Sequence, residues 1–255
     1  MELSIVIPAH NEEKRIAPTL ESYLQYFSKI FDKKFEIIVV LNGCTDNTLG
    51  VVKKFTKWKQ LRYLDIKKAI GKGGAVIEGF KIAKGKLIGF VDADGSTDVY
   101  AFYDLVKKIN GYDAIIASRW LKQSIVEPKQ PLTRRVASRI FNFLVRILFG
   151  LNLHDTQCGA KLFKKQAIKD VLPLLGLTRW AFDVDLLYQL KRKGYKILEI
   201  PTIWRDKAGS KLNLKKTSLQ MFLAIVRLRL LYSKFKFVVD AYNKVLSKWG
   251  KKLAF

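Results

Sequence analysis

FVDADGSTD, residues 90–98, joins the end of an apolar run to three carboxylates at Asp92, Asp94 and Asp98. Leu87, Ile88, Phe90 and Val91 have the character of a strand buried on both faces. A carboxylate is costly to bury unless it is paired or bound to a metal. The acids therefore either sit in solvent at a turn or hold something positive. Side chains two apart on a strand share a face, so Asp92 and Asp94 are expected to project together. Two such carboxylates suit a hard divalent cation, which keeps waters and substrate phosphates as its other ligands. Acidic turns after strands are common, and the pair alone leaves both readings open.

Further apolar strands are expected at residues 3–7, 35–41, 61–64 and 114–117, besides 87–91. Helical patterns lie between them at 12–27, 46–55, 74–83 and 99–109. This alternation predicts an α/β fold with a mostly parallel central sheet flanked by helices. Ligands in such sheets bind beyond the carboxyl ends of the strands. PAHNEE, NGCTD, DADGSTD and SRW stand at those ends and should converge on one rim. Each has an ordinary explanation as well. Asn11 suits a helix cap, as do Thr45 and Asp46. GKGG at 71–74 opens a helix, which would bring backbone N–H groups and Lys72 to an anion. The segment 122–135, polar with two prolines, reads as a mobile loop.

The chain has 255 residues, 49% hydrophobic, with mean hydropathy +0.02, enough for a sizeable core. Its formal charge of +25 points to an anionic partner. Residues 205–255 hold 13 Lys/Arg against Asp206 and Asp240. Cys44 and Cys158 form no CxxC motif and read as free thiols, which suits a reducing compartment. The chain starts directly in a strand pattern without the features of a signal peptide. No apolar run approaches the roughly 18 residues of a membrane span.

Arg135, Arg139, Asn142 and Arg146 recur at helical spacing, forming a narrow polar stripe on an otherwise apolar helix over 136–149. A second greasy, basic segment covers 219–239. Both fit core helices with solvated basic edges. Both also fit amphipathic helices in a bilayer interface, apolar side down and basic side towards headgroups, and the width of the apolar face favours the membrane. A nucleic-acid partner is not expected: an acidic strand end on the binding rim would repel phosphate unless a metal is present, and no RNP or zinc-finger pattern is seen.

IPAHNEE, NGCTDNT, GKGGAV and VDADGSTD, in this order and spacing, resemble glycosyltransferase family 2 of the Rossmann-like GT-A fold. DTQCGAKLF (155–163), RWAFDVDLLY (179–188) and GSKL (209–212) are similar to its dolichyl-phosphate glucosyltransferase and mannosyltransferase branch. The resemblance implies a catalytic domain over 1–212, followed by a basic amphipathic helical segment over 213–255. It implies donor binding by Pro8, Ala9, Asn11, Glu12, Asn42, Lys72 and Gly73, together with Asp92, Ala93 and Asp94. Asp92 and Asp94 would hold Mg²⁺ or Mn²⁺, and these two with Asp155 would be catalytic. Arg119, Arg134, Arg135, Gln157, Arg205, Ser210 and Lys211 would meet the acceptor, the last two from a closing loop. The family often has Asp where Asn42 stands, which loosens the nucleotide assignment. The mannosyl branch commonly has Gln where Ser96 stands, which favours glucose.

The implied reaction is an inverting, metal-dependent transfer of a hexose, glucose before mannose, from UDP-glucose or GDP-mannose to dolichyl or polyprenyl phosphate. The protein would work as a peripheral enzyme on the cytoplasmic face of a membrane. A phosphate monoester, with its second pKa near 6, is largely dianionic at neutrality and needs a cationic seat more than a base. The alternative is a family 2 enzyme with a saccharide or other hydroxyl acceptor. That chemistry would need a carboxylate base such as Asp155, Asp183 or Asp185. The two last also suit the opening of a helix.

Overall fold

The protein is described here by a computed structural model covering residues 1–176, 181–205 and 214–239. The first half runs β1 (Leu3–Ala9), α1 (Ile16–Phe31), β2 (Phe35–Asn42), α2 (Thr48–Lys53), β3 (Leu61–Ile66), α3 (Gly71–Ile82), β4 (Leu87–Phe90), α4 (Val99–Lys108) and β5 (Ala114–Ser118). It continues through β6 (Ile125–Glu127), α5 (Leu132–Phe149), β7 (Lys161–Lys164), α6 (Lys165–Val171), α7 (Phe182–Arg192), β8 (Ile197–Pro201), β9 (Ile203–Arg205) and α8 (Leu214–Leu231).

Seven strands form one sheet in the order β3-β2-β1-β4-β7-β5-β8. Only β7 is antiparallel, to both β4 and β5. The parallel strands therefore deliver their carboxyl ends to one edge, and the order reverses beside β1, where open sheets form a crevice. Alternation along the strands feeds two cores. Ile5, Ile7, Ile37 and Val39 face α1 and α4, whereas Val6, Ile38 and Val40 face α3, α5 and α7. Burial on both faces explains the unbroken apolar runs. α3 lies so close to β1 that a Cβ on Gly79 would stand 2.4 Å from Val6 Cγ1.

α1 begins at Ile16, and Asn11 does not cap it. Asn11 is left-handed (φ 56°), and its amide ties the loop to Thr45. The segment 122–135 is not simply a loop, since β6 pairs there with β9 and α5 already starts at Leu132.

The stripe on α5 is divided: Arg139 is exposed, whereas Asn142 and Arg146 turn towards the protein and not towards headgroups. Asn142 is buried, with its Oδ1 accepting from Thr156 N at 3.0 Å and Oγ1 at 2.9 Å, and Arg146 Nε donates to Leu153 O at 3.0 Å. These groups satisfy the backbone of the adjoining 151–156 segment, which water would otherwise have to do. The outward side carries Leu132, Val136, Ile140, Phe143 and Ile147, between 47 and 70% exposed. At about 100° per residue these five fall within an arc of roughly 80°, opposite the buried Val145 side. α8 packs beside α5, burying Ala224, Ile225 and Leu228 while exposing Leu219, Phe222 and Leu223.

Candidate functional site

β1, β2, β4 and β5 deliver four loops to the rim. The first two are sewn together by Asn11: its Oδ1 accepts from Thr45 N at 2.8 Å, and its Nδ2 donates to Thr45 Oγ1 at 3.1 Å. Glu12 N donates to Thr48 Oγ1 at 2.8 Å, and the Glu12 carboxylate holds Arg15. Burial raises the Glu12 carboxyl; Arg15 opposes this, while the charges of Asp94 and Asp92 add to it, so all three acids share one rim. Asn42 is buried and accepts from Ile70 N at 2.7 Å, bracing the turn into α3 rather than offering its amide to solvent. Its carbonyl accepts from exposed His10 Nδ1 at 2.7 Å. Pro8 and Ala9 end β1 beneath this loop, and Gly73 is buried in the first turns of α3.

β4 stops at Phe90, so Asp92 and Asp94 stand on the turn beyond it. Lys72, on the first turn of α3, reaches Asp92 Oδ1 at 2.5 Å. Burial works against the Lys72 charge, but Asp92, Asp183 and Asp94 outweigh it and raise its pKa. Burial also raises the Asp92 carboxyl, with Lys72 opposing and Asp94 reinforcing. Asp94 Oδ1 accepts from Ser96 N at 2.9 Å, Gly95 turns the chain at φ 70°, and Ala93 O accepts from Thr19 Oγ1 at 2.9 Å. Asp98 belongs elsewhere: it caps α4 through Tyr100 N and meets Arg205 at 3.3 Å.

The pair suits a hard divalent cation. Asp92 and Asp94 are close enough to perturb each other, and no third His, Cys, Asp or Glu completes a cluster among the described residues. Two carboxylates with the other positions left to phosphate and water are what Mg²⁺ accepts. Gly159 makes the room, since a Cβ there would lie 1.8 Å from Asp92 Oδ2.

At the end of β5, Arg119 is held by Asp155 on the loop before β7. Asp155 is 0% exposed. It accepts from Arg119 N at 3.0 Å, Nε at 2.7 Å and Nη2 at 3.0 Å, and from Gln157 N at 3.2 Å. Burial would raise its carboxyl, but Arg119 dominates and holds it below the usual value. Asp155 thus lies under the rim, with Arg119 above it and 5.4 Å from the Trp204 ring. Glu199 on β8 fixes this loop by accepting from His154 N and from Asp155 N at 2.7 Å. Arg134 and Arg135 stand half-buried on the first turn of α5, and Arg139 lies over Trp120 at 5.4 Å. Ser210 and Lys211 lie outside the described residues.

Two buried acids were legible in the sequence as helix openers or candidate bases, but not with the partners they hold. Asp183 pairs with Lys161 at 2.6 Å, and Asp185 accepts from Tyr232 Oη at 2.8 Å, anchoring the chain beyond α8. The signal for Lys161 was a lone lysine inside the apolar CGAKLF, and that for Gly159 was the glycine beside it. Glu199 lies on β8, a strand not anticipated from the sequence, and carried no signal there.

Residues 4–172 match the family model described as Glycosyl transferase family 2. The chain is 33% identical over 243 residues to a dolichyl-phosphate beta-glucosyltransferase of Dictyostelium discoideum, covering 90% of this chain and 74% of the relative. A dolichyl-phosphate beta-glucosyltransferase of Saccharomyces cerevisiae is 34% identical over 250 residues, covering 90% and 75%. Among solved structures, glucosyl-3-phosphoglycerate synthase from Mycobacterium tuberculosis, in complex with Mn²⁺, UDP and glucosyl-3-phosphoglycerate, superposes with a TM-score of 0.65. That likeness covers 89% of this chain and 79% of the other at 19% identity, and speaks for the fold.

Proposed function

Because the chain belongs to glycosyltransferase family 2, we propose that it moves a hexose from a nucleotide diphosphate sugar to a polyprenyl or dolichyl phosphate at a membrane surface. Glucose from UDP-glucose is the first choice and mannose from GDP-mannose the second. The observation that carries this reading is the neighbourhood of α5. Arg139 lies over the ring of Trp120, the residue after Arg119, so the N-terminal half of α5 that carries Arg134 and Arg135 adjoins the end of β5, and the outward side of α5 is an exposed apolar stripe. A cationic seat beside a greasy surface is what a lipid phosphate needs. The names of the curated relatives point to the same acceptor and sugar.

In this mechanism the pyrophosphate of the donor lies against the first turn of α3 and Lys72. A divalent cation on Asp92 and Asp94 would neutralise the leaving diphosphate. Asn11 and Glu12 hold the nucleotide loops in place. Arg119, kept in one orientation by Asp155, receives the acceptor phosphate, with Arg134 and Arg135 completing the seat. The phosphate oxygen is already ionised and attacks the anomeric carbon from the face opposite the leaving group, inverting it. Asp155 acts here by orienting Arg119. Asp155, Asp183 and Asp185 are all buried and engaged, which counts against a carboxylate base and so against a hydroxyl acceptor.

Incubation with a panel of UDP- and GDP-sugars, Mn²⁺ and either polyprenyl phosphate or polyprenol tests this. We expect lipid-linked glucose only from UDP-glucose with the phosphorylated lipid. Equal transfer to the unphosphorylated alcohol would overturn the assignment of the nucleophile.

A further inference from the structure

Lys161 is 0% exposed, although it lies in a strand whose neighbours are apolar. An ammonium group is expensive to bury, and a buried ion pair is often no more stable than an apolar pair of the same size. Stability alone is therefore a poor account of it. Its Nζ donates to Cys158 O at 2.6 Å and to Asp183 Oδ1 at 2.6 Å. It also stands 5.2 Å from the centroid of the Phe90 ring, the residue it faces across the β4–β7 pairing. The Lys72 ammonium lies 5.7 Å from the same ring and is bonded to Asp92. Two cations and their two carboxylate partners thus gather around one aromatic side chain at the root of the metal-binding turn. Asp183 sits close enough to act on both Lys72 and Asp92.

We propose that Lys161 and Asp183 are positioning residues that set the local field of the donor site. Asp183 adds negative charge behind Asp92 and Lys72, favouring a divalent cation, and Lys161 limits that charge so that the nucleotide diphosphate is still accepted. The inference rests on the donor-site reading above, and neither residue touches the substrate. A purely structural pair would weaken both ligands together when altered. A field-setting pair moves them in opposite directions.

The test measures two affinities on the full chain: Mn²⁺ alone, and UDP alone in excess chelator. Asp183→Asn keeps an oxygen for the Lys161 ammonium and so should keep the fold, as a thermal melt would check. It removes one negative charge, so Mn²⁺ should bind about tenfold more weakly while metal-free UDP binds several-fold more tightly. Asp183→Glu, which restores the charge, should return both towards wild type. Lys161→Met should show the reverse pattern, with Mn²⁺ tighter and UDP weaker. If Asp183→Asn leaves both affinities unchanged, or shifts both the same way, the proposal is wrong while the donor-site reading stands. If the wild type binds neither ligand, or Asp92→Asn binds Mn²⁺ as well as wild type does, the donor-site reading fails and takes this inference with it.

Discussion

Asp155 shows how much of a side chain's role is settled by what it already holds. Its carboxylate receives three bonds from Arg119 alone, in a place closed to water. A folded-state carboxyl held below its ordinary value adds stability above that value and loses it as pH falls through the lowered one. The pair therefore contributes fully at neutrality and weakens only on acidification. Asp155→Asn should cost about 3 to 5 kcal/mol in urea unfolding, because it leaves a largely buried guanidinium uncompensated. It should also raise KM for the lipid phosphate while leaving KM for the nucleotide sugar nearly unchanged; an equal rise in both would separate Asp155 from acceptor binding. Gly159 makes the converse point, since what matters there is an absence. A methyl group at 1.8 Å from Asp92 Oδ2 must push that carboxylate aside. Gly159→Ala should therefore lower Mn²⁺ affinity by at least tenfold, read by titration, with a smaller effect on metal-free UDP. The acidic turn itself was legible in the sequence, because carboxylates after an apolar strand stand out. Lys161 and Gly159 were not, because which lysine enters the core is decided by partners far along the chain.

At the scale of elements, β1 to β5 were read nearly to their ends, since burial on both faces leaves continuous apolar runs that turns interrupt, whereas the short β6, β7, β8 and β9 were not anticipated. Helix starts were less legible. Residues 10–15 carry good capping types, yet Asn11 and Glu12 are engaged by the neighbouring loop, and α1 waits until Ile16. α5 is the most instructive element. Its periodicity gave the angles between side chains correctly but not which direction faces the protein. Asn142 and Arg146 turn inward because the 151–156 backbone needs them, which leaves the apolar stripe in the open. The apolar side expected to meet lipid is thus the stripe carrying Phe143 and Ile147, while Arg146 is withdrawn from the basic edge. Phe143→Ser with Ile147→Ser should hardly change stability, both side chains being exposed. Full burial of such side chains is worth roughly 1.5 to 3 kcal/mol each, so the double variant should bind neutral vesicles more than tenfold less well in co-sedimentation. Unchanged sedimentation would place the lipid contact elsewhere.

Across the whole molecule, two forces would bring the rim to a lipid surface, and they differ in range. The formal charge of +25 acts at a distance and on any anionic surface. The α5 stripe acts only in contact, next to the first turn that carries Arg134 and Arg135. Screening separates them, because the Debye length falls from about 10 Å at 0.1 M salt to about 3 Å at 1 M. Binding of the wild type to anionic vesicles should therefore drop steeply as salt rises, then level off at the affinity shown for neutral vesicles. The Phe143→Ser, Ile147→Ser variant should follow the same steep fall but reach no plateau. The two curves should run nearly parallel at low salt, where charge dominates, and diverge at high salt, where only contact remains. If wild-type binding vanishes at 1 M salt, charge alone brings the protein to the membrane, and the exposed face of α5 is not what seats it.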